Sequence, residues 1–145
     1  MKLSRAYVWN QIKTNIVAIV SVIVALSGLA YNTYRNEKTE INRNVRVAAF
    51  ETLKNLGEAQ IVVEYAHFKK DRMLGDPTQG WGRMNYIRDL AQVLPAPGPA
   101  EADGLLAAWR DNVDTLENDK DSMIKITDEI QRLRLTTIEI LNGLR

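Results

Sequence analysis

No charged side chain occurs between Lys13 and Arg35, and this gap constrains the chain more than any other feature. Built as a helix, these 21 residues would be about 31 Å long, close to the thickness of a bilayer's hydrocarbon core. The strongly apolar part is Ile16 to Tyr31. Tyr7 and Trp9 precede it and Tyr31 and Tyr34 close it, rings suited to the two headgroup layers. The pattern predicts a basic leader over 1–13, with Lys2, Arg5 and Lys13 and no acid, and a transmembrane helix over 14–34. Two other readings stay open. Ile16 to Leu26 could be the core of a secretory signal, with Gly28-Leu29-Ala30 offering small residues for cleavage near Ala30 and release to the periplasm. The run could also be the buried helix of a soluble protein, but an all-round apolar helix needs more surrounding chain than 145 residues supply. A long leader, and helix-compatible residues without proline after Ala30, favour an anchor that is kept.

Orientation follows less directly, because three basic residues precede the segment and four follow it, Arg35, Lys38, Arg43 and Arg46. The later four are interspersed with Glu37 and Glu40, and a short basic leader most simply stays in the cytoplasm. The expectation is a single-pass protein of a bacterial inner membrane, N-terminus cytoplasmic and residues 35–145 periplasmic. The chain's net charge is +1, and the leader holds three of its cations, which argues against a nucleic-acid partner. With no cysteine there is no disulfide framework, no thiolate metal site and no attachment residue for a lipid.

Beyond the membrane the pattern is helical throughout: an all-α fold, with the transmembrane helix continuing into a long antiparallel hairpin. Helices are expected over about 36–73, 77–94 and 100–143, the short second one at the distal end. Asp76-Pro77-Thr78-Gln79 has the residues of a helix start, and Pro95-Ala96-Pro97-Gly98-Pro99 closes the short helix. From Leu106 to Leu144 a seam at alternating three- and four-residue steps is apolar except at Lys120, Thr127, Arg134 and Thr137, which reads as one long coiled-coil-like helix ending at Asn142-Gly143. An antiparallel register with Lys70 opposite Glu101, Lys54 opposite Glu117, Arg46 opposite Asp128 and Glu37 opposite Arg134 pairs opposite charges. It returns the C-terminus to the level of Gly28 to Tyr31.

Such a hairpin leaves apolar side chains off its seam, among them Val47, Ile61, Val62, Ile124, Leu135 and Ile138. A second copy, or another membrane protein, would cover them. Val62 and Ile138 are therefore candidate partner contacts. Trp81, between Gly80 and Gly82, is either tucked against Trp109, Tyr86 and Met84 or offered to a partner. Trp81, Tyr86 and Trp109 are the candidate ligand contacts.

Chemistry is sparse. Glu64 and His67 have the helical spacing of a di-iron ligand pair, but there is no second histidine to complete such a site. No nucleophile elbow, phosphate loop or zinc signature occurs, so no catalytic residue, cofactor or metal is assigned and an enzyme is not expected.

The segment YNTYRNEKTEINRNVR, Tyr31 to Arg46, with the apolar run before it, resembles small uncharacterised membrane-anchored helical proteins of proteobacteria, which carry no assigned activity. The layout of anchor, long helix, turn and returning helix is also similar to the ligand-binding half of bacterial chemoreceptors and sensor kinases. It departs from them in having no second crossing after Leu144 and no output domain. Two functions are carried forward: a helical domain that associates with itself or with a membrane complex, and a sensory, ligand-binding module.

Overall fold

The computed structural model describes residues 5–144, apart from the side chains of Ala6 and Tyr7. Lys2 of the basic leader and the ring of Tyr7 lie outside the described residues. Among the described residues every regular element is helical: α1 (Arg5–Thr14), α2 (Ile16–Glu64), a π-helical turn (Tyr65–Lys69), α3 (Pro77–Ala91), α4 (Gly98–Asn112) and α5 (Lys120–Gly143). The chain divides into two compact units, one up to Ile41 and one from Asn42 onward.

In the first unit the backbone ladder crosses the α1–α2 junction, with Asn15 N–H donating to Gln11 O at 3.1 Å and Ile19 N–H to Asn15 O at 3.0 Å. The described large apolar side chains between Ile16 and Leu29 are exposed on all sides of the helix. The Ser21 hydroxyl donates to Val17 O at 2.7 Å, so this polar group is satisfied within the helix. The Lys13 ammonium lies 6.0 Å from the centre of the Trp9 ring, within cation–π range. This is the one described helix long and apolar enough to cross a membrane, with a mean hydropathy of 2.0 over its best window. The helix does not stop at Tyr31, because nothing from Asn32 to Glu64 breaks the hydrogen-bond ladder.

In the second unit, α2 buries Val45, Ala49, Leu56, Ala59 and Val63 on one face. The alanines in this set keep that face narrow, so the neighbouring helices can approach closely. The connections are short and each helix reverses the one before. An ion pair joins Arg83 of α3 to Glu58 of α2. Arg88 Nε meets Asp103 Oδ1 at 2.8 Å between α3 and α4. Thr115 Oγ1 and Ser122 Oγ are 2.8 Å apart at one end of the α4–α5 pair. At its other end, a Cβ added to Gly98 would lie 3.6 Å from Ile140 Cδ1. The unit is thus an up-down-up-down set of four helical stretches around a core of Leu56, Met84, Ile87, Trp109, Ile130 and Leu133.

Three expectations are corrected here. The single helix over 100–143 is two helices, α4 and α5, separated by turns over 113–119. Its cause is side-chain competition: Asp119 caps α5 by accepting from the N–H groups of Asp121 (3.2 Å) and Ser122 (3.1 Å) and from the Ser122 hydroxyl (2.6 Å). Because α4 runs back before α5 descends, the two-helix register fails. Among the described residues the ion pairs are others, Arg83 with Glu58 and Arg88 with Asp103 among them. The end of α2 is tied to the α4–α5 turn instead, His67 to Leu116 and Lys70 to Asn118. From there α5 descends 24 residues, about 36 Å. Counted by helical rise from His67, the same length of α2 reaches back to about Val45, within the second unit. The first long helix also ends early. After the π turn, Lys70 adopts a left-handed conformation (φ 51°) and the chain leaves the helix before Met73.

Hydrogen bonding to Ser122, chiefly through its hydroxyl, lowers the Asp119 carboxyl below its ordinary range. A depressed folded-state value means that its contribution is present above the unfolded-state range and is lost as pH falls through the folded value. Asp119→Ala is therefore expected to lower the melting temperature at neutral pH. The difference from the parent should shrink in acid, where the parent carboxylate is protonated; thermal melts at several pH values read this directly.

Candidate functional site

Three places could carry function: the indole pair, the distal end of the second unit, and the outward faces of α2 and α5. The sequence singled out the first. Trp109 is fully buried and packs edge-on to the half-buried Trp81, with ring centres 6.5 Å apart and planes at 89°. Gly80 makes this possible, because a Cβ there would fall 2.1 Å from Trp109 Cζ2. Trp81 is thus tucked against Trp109, the first of its two expected places. Tyr86 is exposed and not part of the pair. It lines a shallow cavity of about 340 Å³ with Asn55, Gln79, Gly82 and Arg83. The three aromatic residues therefore do not form one ligand pocket: one fills the core, one seals it and one faces solvent.

The distal end of the second unit holds a further cavity. A cavity of about 520 Å³ lies between the chain after the π turn and the α4–α5 turn, with Lys70, Arg72, Asp114 and Glu117 in its lining. Several polar groups in and beside it already have structural duties. The Asp71 carboxylate accepts from the N–H groups of Met73 (2.8 Å) and Leu74 (3.1 Å). These bonds, that from Leu74 foremost, hold its carboxyl below the usual carboxylate range. Lys70 Nζ donates to Asn118 Oδ1 at 2.8 Å. His67 Nδ1 is 2.8 Å from Leu116 O. A carbonyl only accepts, so Nδ1 carries the proton and the imidazole works as a tie between the end of α2 and the α4–α5 turn. The sequence signal for this region lay in the Asn/Asp-rich segment Asp111 to Asp121, whose composition also suits a solvated helix face.

Of the expected partner contacts, Val62 is corrected: it is 3% exposed and belongs to the core. The reason is that three neighbours bury a wider arc of α2 than a single hairpin partner would, so that Val62 and Val63 are both enclosed. Ile138 does lie on the outside, 40% exposed, on the face of α5 that also carries Ile124 and Leu135. On the opposite side of α2 from its core face, Val47, Phe50 and Ile61 are exposed. Phe50 was not among the expected contacts, although its three-residue step from Val47 marked it.

Chemically these surfaces offer apolar contact with a charged rim. No group of three or more histidine, cysteine, aspartate or glutamate side chains is arranged to hold a metal ion among the described residues. No family model matches the chain, and no curated protein or solved structure matches it either.

Proposed function

We propose that the protein is a single-pass inner-membrane protein whose helical domain acts by association, with a second copy or with a membrane complex, and not by catalysis. The observation that carries the reading is the pair of large apolar side chains Val47 and Phe50 left in water on α2 of a domain whose own core is already filled. The exposed apolar helix before it supports a lipid environment, because side chains such as Val17 and Leu29 have no protein to bury them. On this reading the leader is cytoplasmic and the helical domain periplasmic. Cleavage near Ala30 would instead leave the same domain free.

A sensory module is favoured by one observation, the open distal cavity between Lys70, Arg72, Asp114 and Glu117. Its expected place near Trp81 and Trp109 is filled by the indoles themselves.

Two measurements test the proposal. Reporter fusions after Leu144 should be active only for a periplasmic reporter, and the mature chain should retain residues before Ala30. Crosslinking in native membranes with mass spectrometry should recover the chain in adducts. An active cytoplasmic reporter would reverse the orientation. Recovery of monomer alone would defeat the association.

A further inference from the structure

We propose that the outward face of α2 is a homotypic seam, on which a second copy of this chain packs in parallel and in register. This rests on the self-association reading and on the shared membrane anchor, which makes two α2 helices run in the same direction.

Val47, Phe50, Lys54, Gly57 and Ile61 follow one another at three-, four-, three- and four-residue steps, the a and d positions of two heptads. Val47 is 60% exposed, Phe50 58% and Ile61 49%. The residues between them, Ala48, Ala49, Thr52, Leu56 and Ala59, face the domain's own core, so the two faces of this helix do not compete. A Cβ added to Gly57 would meet nothing within 4 Å, so the domain itself makes no use of the missing side chain. A second helix could approach the backbone closely there.

The charges choose the occupant. In a parallel, in-register pair, the residue before one a position faces the residue after the following d position of the other strand. Here these are Arg46 and Glu51, which meet twice across the two-fold axis with opposite charge. Lys54 is the single polar residue at the a positions between Val47 and Ile61, a device that fixes register and strand number at some cost in stability. Its ammonium already leans 3.9 Å from Glu51 Oε2, out of the seam. The outer face of α5 fits a second copy less well. The same steps there run through Asp128 and Gln131, which would bring two aspartates together. Two heptads are too few to hold a dimer in dilute solution. Confinement of both copies to one bilayer raises their effective concentration.

The chain has no cysteine, so a single introduced cysteine reports its own symmetry mate. In native membranes under mild oxidation, Phe50→Cys and Ile61→Cys should give homodimer at least about fivefold more than Tyr86→Cys on α3 or Leu135→Cys on α5, since a disulfide forms only where Cα atoms come within about 7 Å. With the Ile61→Cys reporter, Phe50→Glu should abolish the product while helicity is unchanged, because Phe50 touches solvent. Arg46→Glu should reduce it, and Arg46→Glu with Glu51→Arg should restore it. If Leu135→Cys were the position that crosslinks, self-association would stand and the α2 assignment would fall. If no position gave homodimer, the seam and the homotypic half of the functional reading would fall together, leaving association with another membrane protein.

Discussion

Replacing Trp109 by alanine is expected to lower the melting temperature of the helical domain by about 10–25 °C, the equivalent of about 3–5 kcal/mol in a unit of this size. Trp109 is fully buried, and it is the largest enclosed side chain of the core. Its ring lies against Gly80 of α3 on one side and Trp81 on another, so two helices lose their shared filling at once. The cavity cannot collapse easily, because Gly80 has no side chain to move into it. Trp109→Phe should cost much less than size alone suggests. The indole Nε1 is buried without a hydrogen-bond partner among the protein atoms, and removing an orphaned donor returns about 1–3 kcal/mol of desolvation. Melts of the full chain in detergent, with near-ultraviolet dichroism to follow the remaining indoles, check both values. A Trp109→Phe variant as unstable as Trp109→Ala would mean that the N–H has a partner after all.

The same residues show what could and could not be read in advance. The start of α3 was legible because Asp76 and Pro77 act locally: the Asp76 carboxylate accepts from Thr78 N–H at 2.8 Å, as the residue order alone suggests. α5 also ends at Gly143, the expected place, but Gly143 is its last helical residue and Leu144, in an extended conformation, is the cap. The break between α4 and α5 was not legible, since apolar residues keep heptad-like steps straight through it and neither proline nor glycine marks it. The overlooked signal was Asp119 followed by Ser122, a cap at the head of a new helix. Once that break is missed, the register goes with it. Charge pairing along two polar helix faces is permissive enough to support a wrong alignment, and exposed pairs contribute only about 0–1 kcal/mol. For the candidate surface, Ile138 was recoverable from periodicity and Val62 was not, because burial depends on how many helices surround a face and not on its phase alone.

One substitution, glycine to alanine, should act in opposite directions at Gly75 and Gly57. At Gly75 a new Cβ would fall 2.4 Å from Ala66 N, 2.6 Å from Ala66 Cα and 2.7 Å from Asp71 O. All three are backbone atoms, so no side chain can swing aside. The chain after the π turn must lift away from α2, straining the bond from Gly75 N–H to Asp71 O (2.9 Å) and those that hold Met73 and Leu74. An overpacking cost of about 1–3 kcal/mol is expected, with faster amide exchange confined to the distal end. At Gly57 the new Cβ meets nothing, and this half-buried helical position gains about 0.5–1 kcal/mol from the better helix former. Gly57→Ala should therefore raise the melting temperature by a few degrees in dilute detergent, where copies do not meet. In the membrane the same methyl would stand in the proposed seam and should reduce crosslinking through Phe50→Cys. Stability and association would then move in opposite directions at one residue. A rise in both would place Gly57 outside the contact, because the only gain left would be that of the helix itself.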